Sequence, residues 1–149
     1  MGGATGIGGA RWLLALALTT ACLPAAAEVT PTPASPAVEQ GRAMFYGEAA
    51  LAAHLRGEAR ALPAGASRCA NCHVATRGTE SFGPRLTADS LLGLSARRGG
   101  PPTAYDRNTF CSVMADSVDV AGVMLARSMP QYRLSDQECT ALWSYLLTQ

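Results

Sequence analysis

The chain has 149 residues and a formal net charge of +1, and it contains no lysine. That length suits one domain of ordinary size, and a near-neutral chain without a basic run excludes an electrostatic nucleic-acid binder. Aromatic residues make up only 6% while alanine and glycine abound, so the side chains alone build a modest core that a cofactor with its own apolar bulk would help to fold.

In chain order, the first 27 residues read as an export signal. Arg11 is the sole charge before Glu28, "WLLALALTTACL" follows as a short apolar run, and Ala25-Ala26-Ala27 gives a small-x-small cleavage pattern. Two rivals share this stretch. A membrane span needs roughly 20 apolar residues, and Thr19, Thr20 and Pro24 interrupt this run. A lipoprotein signal cut before Cys22 has Thr19 where an aliphatic residue is usual; only lipidation at Cys22 would tether the chain to a membrane. The predicted location is therefore periplasmic, with cleavage near Ala27. Loss of Arg11 leaves eleven arginines against eleven acids.

"EVTPTPASPA", residues 28–37, alternates proline with small residues and reads as an extended tether. The folded domain is predicted over 38–149, as helices joined by Gly/Pro loops. "AVEQGRAMFYG" starts a helix that Gly47 ends, and "EAALAAHLRG" reads as a second helical stretch ended by Gly57. Thr87 is placed to cap a short helix, and "SARRGGPP" must be irregular. In "TAYDRNTFCSVMADSV", Phe110, Val113 and Met114 fall on one helical face. "AGVMLARSMPQYRL" is loop-like around Met129-Pro130. In the last segment Ser135 and Glu138 form a capping box, with Cys139, Leu142, Trp143 and Leu146 following at helical spacing. No strand alternation stands out, and the fold class is all-α.

"CANCH", residues 69–73, carries the chemistry. A redox dithiol wants a strand upstream and leaves His73 without a role. A zinc site wants four ligands, usually in close pairs, and Cys111, Cys139 and His54 do not supply the second pair. A haem attachment site wants C-x-x-C-H, an exported chain and a second axial ligand downstream, and this chain has all three. Cys69 and Cys72 would each form a thioether to a porphyrin vinyl group, holding His73 beneath the iron. A soft thioether suits the opposite face and raises the reduction potential. Met114 and Met124 read as packing residues, whereas Met129 lies in a loop stiffened by Pro130 and is the predicted sixth ligand. His54 is the remaining nitrogen candidate and reads as a surface residue.

These residues resemble class I monohaem c-type cytochromes over most of 38–149. "GRAMF" is similar to the family's N-terminal helix, "GPRL" (83–86) to its Gly-Pro-x-Leu turn, "MPQY" to its methionine loop and "LWSYL" to its closing helix. The resemblance implies a small haem-wrapping fold with its N- and C-terminal helices packed together. It implies that the Pro84 carbonyl accepts a hydrogen bond from the ligating His73, and that Tyr145 packs beside Gly41 and Phe45 where the helices cross. It also implies one covalently attached haem c per chain and electron transfer rather than enzymatic turnover. The expected partners are redox proteins: a dehydrogenase as donor, an oxidase or other haem protein as acceptor. A dehydrogenase electron-transfer subunit and a peroxidase or gas-reactive cytochrome with a vacant sixth site are the alternatives. The chain departs from compact members in the 21 residues between Gly47 and Cys69, which read as a shield for a haem edge, a partner contact or surface packing.

Cys111 and Cys139 remain. Exported chains favour disulfides, both cysteines lie on helices expected to pack together, and a bridge is predicted. Arg97, Arg98 and Tyr105 are candidates for hydrogen bonds to the haem propionates.

Overall fold

Capping residues and prolines set where the helices begin. The computed structural model describes residues 1–3, 6, 33–76, 78–97 and 99–149. The signal segment's apolar run, Cys22, Ala27, residues 28–32 of the tether and Arg98 lie outside the described residues. The chain divides into Met1–Thr32 and Pro33–Gln149, and every element below belongs to the second unit.

Helix α1 spans Pro36–Tyr46, so the last two residues of the Pro-rich segment belong to it. The Ser35 side chain accepts from the Val38 amide, and Pro36 sits in the first turn, where its missing N–H costs nothing. Gly47, at φ 79°, closes the helix in the left-handed conformation that glycine adopts without strain. At the other end of the chain α5 covers Asp136–Leu146, started by the reciprocal Ser135–Glu138 capping box. Helices α1 and α5 pack together, with the rings of Phe45 and Tyr145 at 5.5 Å. Gly41 lies at their crossing: a Cβ there would stand 2.7 Å from the Tyr145 Cβ and the Ala141 carbonyl carbon.

Between them lie α2 (Ala70–His73), α3 (Ala88–Leu92) and α4 (Arg107–Asp116). Thr87 and Ser90 cap α3 reciprocally, and Asp106 and Thr109 do the same for α4. The Thr109 backbone N–H holds the Asp106 carboxyl below its ordinary value. Phe110, Val113 and Met114 are buried on α4, and Cys139, Leu142, Trp143 and Leu146 on α5, the apolar faces read from the spacing. A disulfide joins Cys111 on α4 to Cys139 on α5 across a sequence separation of 28. Chain-entropy reasoning gives it about 3 kcal/mol. Reductant is therefore expected to move the denaturation midpoint well below that of the oxidised protein. An unchanged midpoint, with both cysteines alkylatable before reduction, would remove the bridge.

Two expectations need correction. The 48–57 stretch is not helical: Leu51 and Ala53 are buried while Ala50 and Ala52 are exposed, the alternation of an extended segment. It contains β1 (Ala53–His54), which pairs antiparallel with β4 (Gln131–Tyr132), Ala53 opposite Tyr132 and His54 opposite Gln131. Alanine's helix preference is worth a few tenths of a kcal/mol per residue and yields to a tertiary pairing. Around "SARRGGPP", β2 (Ser95–Ala96) pairs with β3 (Pro102–Thr103). The helices carry the core, and the all-α reading holds apart from these two short ladders.

Candidate functional site

The described residues enclose an apolar cavity of about 480 Å³, within the range of small-molecule and cofactor sites. His73 and Met129 both line it, although they stand 56 positions apart in the sequence. Helix α4 contributes Phe110, Val113 and Met114, and the 82–91 segment contributes Phe82, Gly83, Pro84 and Leu91.

His73 ends α2, and its Nδ1 lies 2.7 Å from the Pro84 carbonyl oxygen. A carbonyl only accepts, so Nδ1 carries the proton and Nε2 keeps its lone pair. Burial lowers the imidazole pKa, opposed by the hydrogen bond to Pro84, and favours the neutral ring that a metal needs. The Gly83 amide donates to the Cys72 carbonyl at 2.7 Å, locking the 82–85 turn beneath α2. A Cβ on Gly83 would lie 2.8 Å from Cε1 and 2.9 Å from Nδ1 of His73; the glycine is the cradle in which the ring rests. The "GPRL" motif draws attention to Pro84, and the close approach at Gly83 emerges only from the packed ring.

Cys69 and Cys72 precede His73, and neither forms a disulfide. Cys69 is buried, and burial pushes its thiol up to about 11. Neither sulfur belongs to the cavity lining, where His73 represents the motif. Among the described residues no three His, Cys, Asp or Glu side chains gather into a metal-holding group, the company a four-ligand zinc site needs.

The methionines separate by position. Met124 is 59% exposed and outside the lining, a correction to its reading as a packing residue. Met114 is buried in the core and also faces the cavity. Met129 is partly buried, and its amide donates to the Ala126 carbonyl at 3.0 Å, closing the turn on which it sits. His54 lies on β1, away from the cavity, and its Nδ1 is buried without a hydrogen-bond partner. The surface position expected for it is therefore also corrected.

Arg97 and Tyr105 both line the cavity, with the guanidinium 4.9 Å above the ring centroid. Arg97 also donates to the carbonyls of Ser90, Gly93, Ser95 and Thr103, stapling β2 and β3 to the end of α3. Asp119 is a buried lining residue that the sequence reading missed. One carboxylate oxygen accepts from the amides of Ala121 (2.9 Å) and Val123 (2.8 Å), forming the turn that starts the methionine loop. The available signal was the "DVAG" pattern of an Asx turn, with Gly122 at φ 77°.

A family model described as Cytochrome c matches residues 61–149, well over half of the chain. No curated protein and no solved structure matches.

Proposed function

The chain belongs to the cytochrome c family, and on that premise we propose that it is an exported electron carrier with its haem fastened through Cys69 and Cys72 and ligated by His73 and Met129. Family membership brings one covalently attached haem c, whose iron supplies reversible one-electron exchange between Fe(III) and Fe(II). The observation that carries the ligand assignment is the cavity. One apolar space is lined by an imidazole, oriented through Nδ1 by Pro84, and by a loop thioether from far along the chain. The Gly83 cradle fits the group as well, and Cys69 and Cys72, held in no disulfide, stand just before His73.

Within this reading each residue has a physical task. Pro84 fixes the tautomer and plane of the imidazole. Phe82, Leu91, Phe110 and Val113 keep water from the cavity, which lowers the local dielectric and tunes the potential. Arg97 places a cation on the cavity wall, suited to a propionate carboxylate. Phe82 is 79% exposed while also lining the cavity, an apolar contact at its mouth for a redox partner. Met129 on the same cavity wall as His73 could supply a second protein ligand to the iron, which favours a carrier over a gas-reactive enzyme. Donor and acceptor are expected to be redox proteins of the same exported compartment.

The decisive experiment is a visible and near-infrared spectrum, with an intact mass, of the exported protein. A low-spin ferric spectrum with a weak near-infrared sulfur–iron band, a mass including the macrocycle and an N-terminus at Glu28 are expected. A high-spin ferric spectrum would favour the vacant-site alternative. A second test bears on the imidazole. Gly83→Ala drives a methyl group against the ring and is expected to raise the high-spin fraction and weaken the bond to Pro84. A variant spectrally identical to the wild type would mean that the ring has room to spare.

A further inference from the structure

We propose that the segment between Gly47 and Cys69 is a clamp on the methionine loop, and that Arg56 is its positioning residue. The proposal rests on Met129 being the sixth ligand. Its geometry comes from a hairpin absent from the sequence reading. The chain runs out through β1, turns at Leu55–Glu58 with Gly57 at φ 83°, and returns so that the Leu62 amide donates to the Ala53 carbonyl at 2.8 Å. A glycine at the third position of such a turn takes the positive φ that other residues resist.

This hairpin grips the methionine loop on both sides of the Ala126–Met129 turn. Downstream, β1 pairs with Gln131–Tyr132, and the Arg133 amide donates to the Ala52 carbonyl at 2.9 Å. The Tyr132 hydroxyl, buried, donates to the Ser67 carbonyl at 2.8 Å, tying the loop to the residues just before Cys69. Upstream, the partly buried Arg56 donates from Nη1 to the Leu125 carbonyl at 2.9 Å. Leu125 and Ala126 line the same cavity as Met129. The Glu58–Arg127 ion pair at 3.0 Å adds a second tie, but its side chains are 38% and 65% exposed, so water screens it. The charge-assisted bond from Arg56, in a drier setting, is the stronger of the two upstream ties.

A sulfur ligand leaves iron only if its loop swings away. After Met129 the loop is held by strand pairing; before it, the Leu125 amide donates to the Ser117 carbonyl at 2.8 Å, and Arg56 on the Leu125 carbonyl is the tie from the hairpin. Releasing the Arg56 contact frees the hairpin side of that anchor and lets the 126–129 segment open while β4 stays paired.

The test compares wild type, Arg56→Ala and Arg56→Lys as ferric holoproteins titrated with imidazole, which must displace the sulfur to bind. Arg56→Ala is expected to bind imidazole about tenfold more tightly, with Arg56→Lys recovering most of the difference. Amide hydrogen exchange is read alongside: residues 126–129 are expected to exchange faster in Arg56→Ala, with α1 and α5 unchanged. Equal imidazole affinities in wild type and Arg56→Ala would overturn the clamp. Uniform acceleration across α1, α5 and the loop would also overturn it, because it would reveal a general loss of stability. A wild type without the near-infrared band would instead overturn the Met129 assignment, and the exchange comparison would still judge the clamp.

Discussion

Met129→Ala is expected to extinguish the near-infrared sulfur–iron band, convert the ferric iron to a high-spin or water-ligated form and lower the reduction potential. The fall should be on the order of a tenth of a volt or more, because a thioether favours the reduced iron and a water oxygen does not. Two methionines line the cavity, and the experiment separates them. Met114 is 5% exposed in the last turn of α4, with Phe110 and Val113 in the core. Met114→Ala is expected to keep the band and lose stability, by about 2–5 kcal/mol for a buried methionine truncated to alanine. If the band survives in Met129→Ala and disappears in Met114→Ala, the ligand assignment passes to α4. The site would then be built on a rigid helix rather than on a loop.

Gly41→Ala is expected to be the most damaging single methyl addition in the crossing of α1 and α5. In an ordinary helix interior this substitution stabilises, by roughly 0.5–1 kcal/mol, because alanine has less backbone freedom to lose. Here the sign reverses. The new Cβ would stand 2.7 Å from the Tyr145 Cβ and closer still to the Ala141 carbonyl oxygen, in a layer where Ala141 and Tyr145 are buried. Overpacking against backbone has no flexible atom to push aside, so the helices must separate. A cost of about 3 kcal/mol is expected, lowering the thermal midpoint by roughly 10 °C. Thermal unfolding followed by circular dichroism measures it. A neutral or stabilising Gly41→Ala would show that the helices do not meet at this residue.

The site divides along similar lines. His73 and its Pro84 partner lie 11 residues apart and are legible as a local motif. Their hydrogen bond was implied by the resemblance of "GPRL" to the family's turn, and the structure shows it at 2.7 Å. The roles of Gly83 and Arg56 were not legible, because each acts through a contact set by how packed segments come to rest: a ring against a missing Cβ, and a guanidinium on a carbonyl 69 residues away. The Asp119 turn is local and carried a signal, whereas the place of its residue in the cavity lining carried none. The 48–57 stretch misled for a related reason. Its alanines favour a helix locally, and its buried alternation becomes visible only once Tyr132 and Gln131 are in place opposite it.

The sequence alone determined what acts over short spans: the cap at Thr87, the capping box at Ser135, the left-handed stop at Gly47, the apolar faces of α4 and α5 and the C-x-x-C-H motif. Those features are encoded within a few residues, where backbone preference and side-chain spacing decide the outcome. The tertiary structure decided which thioethers share a cavity with His73, how closely α1 approaches α5 and what holds the methionine loop in place. These are long-range contacts, and each exists only because closing the loops between distant segments is repaid by burial of apolar surface.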